Sequence, residues 1–174
     1  HERIYERLYE LDKQGKLPVY IDGSIALTNP KKMKEVVENV KRFRQKFDSE
    51  HLNVHTFKVF MDGTLRIETA CQVTPYIDTN KKGATTFSKE EVAEVMKLLN
   101  EAGLARKELG DKFRVKVTCA HLEIQDDADI ERFAKLGVTA NYSPWWHAGC
   151  TGGNPYEIWS SLLGEERAKK MYRS

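Results

Sequence analysis

The stretch from Phe57 to Ala70, FKVFMDGTLRIETA, constrains this chain more than any other. It reads as a short apolar strand with a lysine embedded in it, running into an Asp-Gly turn and a polar loop. Side chains alternate along a strand, so Thr56, Lys58, Phe60 and Asp62 share one face while Phe57, Val59 and Met61 share the other. Lys58 therefore faces either a core or a site. If the strand is buried on both faces, an ammonium there is costly unless it is paired, neutralised or chemically altered.

Helices and strands alternate around this stretch. His1 to Gln14 carries Ile4, Tyr5, Leu8 and Leu11 at helical spacing and is closed by Gly15. Leu17 to Leu27, LPVYIDGSIAL, is compatible with a buried strand ending near Asp22-Gly23. Asn29-Pro30 starts a second helix, with Met33, Val36, Val37, Val40, Phe43 and Phe47 as its buried stripe. Residues 71–87 read as a loop, and Ser88 with Glu91 makes a capping box for a helix reaching Ala102-Gly103. From Phe113 to Glu123, FRVKVTCAHLE places Val115, Val117, Cys119 and His121 on one face of a further strand. Asp127 to Leu136 is a short helix ended by Gly137, Val138 to Ser143 a strand, PWWHAGCTGGNP a loop, and Tyr156 to about Arg173 a last helix. Such alternation predicts an α/β fold of parallel βα units. One junction breaks it: after Gly103-Leu104 the chain runs straight into ARKELG, itself like a helix tail, and a stretch is expected to be missing near Leu104-Ala105.

Composition narrows the classes. The 174 residues suit one ordinary domain, whereas a complete α/β barrel usually takes about 250. Lys plus Arg number 28 against 26 Asp plus Glu, spread over helix-like segments, which implies no nucleic-acid partner and no membrane-surface field. Cys71, Cys119 and Cys150 lie far apart without a CxxC pair, which argues against a disulfide framework and reads as a reducing compartment such as the cytoplasm, or as incidental thiols. No apolar run is long enough to cross a bilayer, and no signal-peptide pattern opens the chain. Because its first residues already read as helix, the chain is expected to be a piece of something longer.

Each candidate residue has an ordinary reading beside a chemical one. From spacing alone, Lys58 reads as a strand-edge lysine that snorkels into water. His121 alone reads as a core histidine bonded to a backbone carbonyl, or as a ligand. His147 sits in a Gly-rich loop after a strand, where substrate contact and packing against the neighbouring tryptophans are both open. Trp145 and Trp146 either wall an apolar pocket or pack the loop. Asp62 either orients the lysine or belongs to an ordinary turn pair. Cys119, two residues from His121, reads as a buried thiol.

In order, FKVFMDGTLRIETA with the downstream Thr74-Pro75-Tyr76, then CAHLEIQDDADIERFAKLGVTANYSPWWHAG, then GEERAKKMYRS resemble the central part of the amidohydrolase superfamily. The resemblance is to the amidohydrolase-3 subfamily, which includes YtcJ-like and AepA-like (exoenzyme regulatory) proteins. It implies a TIM-type (β/α)8 barrel, of which residues 1–174 would be a single partial domain holding about strands three to seven. It further implies metal ligands from an HxH pair on the first strand, a lysine on the fourth, histidines on the fifth and sixth, and an aspartate on the eighth. By residue match Lys58 takes the fourth-strand position and His121 the sixth. The family lysine is carboxylated and bridges divalent metal ions, here expected to be zinc, one or two; that chemistry needs a neutral amine, which burial favours.

The remaining ligands would lie before His1, in the stretch missing after Leu104, and beyond Ser174. With two ligands only, the chain is expected to hold a catalytic metal poorly and to be inactive alone. The activity implied for the parent is hydrolysis of a C–N bond in a small amide or cyclic amide, with His147, Trp146 and Asp62 as substrate contacts. The alternative is a regulatory or binding protein that retains the barrel without the chemistry. An open arc of barrel leaves strand edges uncovered, so self-association is expected.

Overall fold

Helix α1 (Glu2–Lys13) ends as its sequence predicts. Gly15 takes φ 66°, and the amides of Gly15 and Lys16 return to the carbonyls of Asp12 and Leu11, each at 2.8 Å. This closure satisfies the orphan carbonyls of the last turn and requires the left-handed backbone that glycine adopts without strain. The computed structural model describes residues 2–101, 117–143 and 155–172. The chain divides into two units, His1–Asp62 with Thr85–Arg114, and Gly63–Ala84 with Val115–Ser174.

In the first unit, strand β1 (Ile21–Leu27) runs straight through Asp22-Gly23, where the sequence predicted an end. Gly23 serves close approach rather than a turn. A Cβ there would lie 2.6 Å from Tyr5 Cε1, and the Tyr5 hydroxyl donates to the Ser24 carbonyl at 2.9 Å. Helix α2 (Met33–Phe47) follows a 3-10 turn, Pro30–Lys32, in which the Asn29 side chain accepts from the Lys31 N–H at 3.0 Å. Its predicted stripe is buried at Val36, Val37, Val40, Phe43 and Phe47.

Strand β2 (Leu52–Val59) begins before the apolar stretch that announced it and pairs in parallel with β1. Its apolar residues do not alternate evenly. Leu52 and Val54 are even-numbered, Phe57 and Val59 odd, and a regular strand would send one pair to the wrong face. The register repairs this: Gly23 pairs with Val54 but Ser24 with Thr56, leaving His55 as an extra residue in a bulge. All four apolar side chains then face the helices, as Ile21, Gly23, Ile25 and Leu27 do from β1.

Helix α3 (Lys89–Glu101) completes the unit, and its capping box is reciprocal. The Ser88 N–H donates to Glu91 Oε2 at 2.8 Å and the Glu91 N–H to Ser88 Oγ at 3.2 Å. Two apolar clusters hold the helices on the strands, one around Tyr5, Phe43, Phe47, Leu52 and Val54, the other around Leu27, Val37, Phe87, Val95 and Leu99. Each large side chain buried there contributes about 1.5–3 kcal/mol.

The second unit contains β3 (Thr118–Ala120), α4 (Asp127–Leu136), β4 (Thr139–Asn141), α5 (Pro155–Leu163) and α6 (Glu165–Ala168). Strands β3 and β4 are parallel, pairing Thr118 with Thr139 and Ala120 with Asn141. Both are shorter than their alternation predicted at their C-terminal ends, and residues 113–116 lie outside the described residues. Helix α4 closes at Gly137 as predicted, with Val138 N–H donating to the Phe133 carbonyl at 2.9 Å. The single last helix expected from Tyr156 onward is instead broken by Gly164, whose φ of 83° turns the chain out of α5 before α6. Around it, Arg167 donates to the carbonyls of Leu163, Thr74 and Pro75 at 2.6, 2.7 and 2.6 Å, tying the 63–84 loop to α5 and α6. Tyr76, 1% exposed, packs with Leu65, Leu163 and Met171 beneath that tie.

The described fold is thus α/β with parallel strands, as the alternation predicted. The suspected gap near Leu104-Ala105 lies outside the described residues. Among them, no helix is long and apolar enough to cross a membrane.

Candidate functional site

Lys58 is the penultimate residue of β2 and pairs with Ala26. The bulge at His55 puts it opposite the helix-facing set, on a face shared with Asp22, Ser24, Ala26, Asn53 and Thr56. That face departs from the expectation of a strand buried on both sides. Asp22, Ser24, Ala26 and Thr56 are exposed and Lys58 is half-buried, because helices of this unit pack on the other face. The side chain is accommodated without full burial: Nζ lies 4.6 Å from the centroid of the Phe60 ring, at cation–π distance. Small and polar neighbours leave room around it.

His121 follows β3 directly, but it does not continue the strand's alternation with Val117 and Cys119 as the sequence predicted. Its φ is 60°, a left-handed backbone in which a side chain with a Cβ is uncommon, though histidine is enriched there. The turn is held by the Glu123 N–H, which donates to the His121 carbonyl at 3.0 Å. The imidazole is consequently exposed at the C-terminal end of the strand rather than laid along its face. Its Nδ1 lies 3.4 Å from Ser143 Oγ, just beyond β4. Burial pushes the nearby Cys119 thiol pKa up, as befits a small apolar filler.

Asp62 is exposed at the bend after β2, in the same unit as Lys58. His147 and Trp146 lie outside the described residues, as do Trp145 and Cys150. Lys58 and His121 belong to different units. Lys58 lies near the C-terminal end of one parallel strand and His121 directly after another. No group of three or more His, Cys, Asp or Glu able to hold a metal occurs among the described residues, so these residues alone do not make a complete metal site.

Two features escaped the sequence reading. Ser143 was read only as a strand end, although setting TCAH against TANYS in parallel register would have brought it near His121. His51, given no role, binds Asp12 through Nδ1 to Oδ1 at 2.8 Å. The same carboxylate accepts from Ser49 Oγ at 2.6 Å and the His51 N–H at 2.9 Å. Led by the Ser49 bond, these hold the Asp12 carboxyl below the usual carboxylate range.

Known proteins give this geometry its context. Residues 2–107 match the amidohydrolase family in its amidohydrolase-3 group, a span that includes Lys58. Over 70 residues the chain is 30% identical to the exoenzymes regulatory protein AepA of Pectobacterium carotovorum subsp. carotovorum, which covers 40% of this chain and 15% of that protein. Its fold is similar to crystal structures of two uncharacterized metal-dependent hydrolases. The one from Pyrococcus furiosus aligns with a TM-score of 0.69 and 23% identity over 97% of this chain and 36% of its own. The one from Pyrococcus horikoshii OT3 aligns with a TM-score of 0.69 and 21% identity over 95% and 35%. The chain thus spans about a third of those hydrolases and a smaller share of the regulatory protein. With the family match running from the first helix past the third, the chain belongs to the amidohydrolase family.

Proposed function

We propose that this chain is part of a metal-dependent hydrolase barrel acting on C–N bonds of small amide or cyclic amide substrates, in the cytoplasm. The carrying observation is Lys58: a lysine one residue from the end of a parallel strand, turned away from the helices, inside the span that matches the family. The names of the two fold neighbours, both metal-dependent hydrolases, support the same class. Lys58, carboxylated, would present oxygen to one or two zinc ions, and His121 would present a ring nitrogen. A metal held there supplies Lewis acidity toward a carbonyl oxygen. Asp62, His147 and Trp146 are proposed to contact substrate. The remaining ligands would come from elsewhere in the whole protein.

A second reading is favoured by one observation: the AepA relative is named for regulation. In that case the protein keeps the fold and binds without reacting. Metal analysis of the whole protein, purified without chelators, separates the two. The hydrolase reading expects about one to two equivalents of divalent metal. It also expects a labelled-bicarbonate carbamate signal, with both lost in Lys58→Ala. A folded protein that takes up no metal after zinc and bicarbonate are added overturns it.

A further inference from the structure

Residues 70–83 form a loop with a tight neck and a head fastened to helices. At the neck Gly83 takes φ 65° and comes so close to Ala70 that a Cβ there would lie 2.2 Å from the Ala70 carbonyl oxygen. Inside the loop, the amides of Gln72 and Tyr76 donate to the carbonyls of Lys82 and Lys81 at 2.7 and 2.9 Å, and the Asn80 N–H donates to the Tyr76 carbonyl at 3.0 Å. A loop with adjoining ends that bonds to itself is an Ω-loop, and it can be displaced without giving up those bonds. Tyr76 is the one buried residue between Cys71 and Gly83, and everything from Ile77 to Ala84 is exposed. The loop therefore has almost no core of its own.

What fastens the head is one guanidinium. Arg167 Nε donates to the Leu163 carbonyl at the end of α5, while Nη1 and Nη2 reach across to the carbonyls of Thr74 and Pro75. The Ile77 N–H adds one further bond, to the Leu162 carbonyl at 3.0 Å. Gripping a helix end and a loop at once takes a planar fork, which the single ammonium of a lysine does not provide. We infer that Arg167 is the latch of a lid: engaged, it holds the 70–83 loop on α5 and α6, and released, it lets the loop swing about its Ala70–Gly83 neck with its internal bonds intact. Opening then costs the fork, the Ile77 bond and the burial of one tyrosine ring. The loop follows the Lys58 strand in the chain, a position where α/β barrels carry function and where a lid admits and releases ligand. The latch itself depends on no metal.

Two readouts on the full chain test this without substrate. In wild-type spectra with 15N-arginine, the Arg167 Nε–H should exchange slowly with solvent and its Nη groups should give separate signals, with Arg167→Lys assigning them. Nη signals averaged by free rotation in the wild type overturn the inference. Amide hydrogen exchange reads the loop itself. In Arg167→Ala the Ile77 amide should exchange at least about tenfold faster, while the Gln72 and Tyr76 amides inside the loop and the Gly164 amide, bonded to the Ser160 carbonyl, change by less than about threefold. Arg167→Lys should recover part of the Ile77 protection, since an ammonium can serve one side of the tie. An Ile77 amide indifferent to Arg167→Ala overturns the latch. Equal acceleration through α5 and the loop, or a variant that does not fold, also overturns it, because Arg167 would then be a support of the core.

Discussion

At His121 the backbone and the side chain make separate demands. Left-handed φ suits glycine, whereas any side chain there is less favourable by about 1–2 kcal/mol, most of all a β-branched one. We therefore expect His121→Gly to be at least as stable as wild type in urea unfolding, by up to about 1 kcal/mol, and His121→Val to be less stable by about as much again. A glycine variant weaker than wild type would show that the histidine side chain itself supports the turn. Asp12 makes the opposite case, a buried carboxylate whose role is structural. Its pKa is depressed in the folded state by Ser49 and then by the His51 N–H, so its contribution is present above the unfolded carboxylate value of about 4 and is lost as pH falls through the folded value. The gap in urea midpoint between wild type and Asp12→Asn should stay level from neutral pH to about pH 4 and close below it. A gap that persists in strong acid would mean that the charge is not what matters.

At the scale of elements, local chemistry was legible and partnership was not. The Gly15 and Gly137 helix ends, the Asn29 cap and the Ser88–Glu91 box all follow from residues a few positions apart, and all form as their spacing predicted. The Asp22-Gly23 pair misled because its sequence is that of a turn, while its place is set by Tyr5, which packs where a Cβ would go. Gly23→Ala should therefore destabilise the chain by about 1–3 kcal/mol, measurable by thermal or urea unfolding, and pairing it with Tyr5→Leu should recover part of the loss. Full additivity of the two would place the defect elsewhere than at this contact. The candidate site was legible to the same partial degree. Lys58 was singled out by position and by resemblance, but its open surroundings depend on which face the helices take. His121 was singled out while its turn was not foreseen, because alternation alone continues a strand that the backbone ends.

Over the whole molecule, the two units differ in how their strands are supported. Strands β1 and β2 span seven and eight residues and bury Leu27, Leu52 and Val54 completely, whereas β3 and β4 have three residues each and bury none fully. Amide hydrogen exchange should accordingly be slowest in Val36–Phe47 and Leu52–Val59, and at least about tenfold faster in Thr118–Ala120 and Thr139–Asn141. Uniform protection would mean that the second unit draws stability from more than its described core. The bulge in β2 has an implication for reading related sequences. Removing His55 would leave Leu-Asn-Val-Thr-Phe-Lys-Val, an unbroken alternation with every other residue still opposite its present partner on β1. Position 55 is thus a spare letter in the strand: a relative aligned with a gap there can carry the same lysine at the same place, and the gap by itself is no sign of a different architecture.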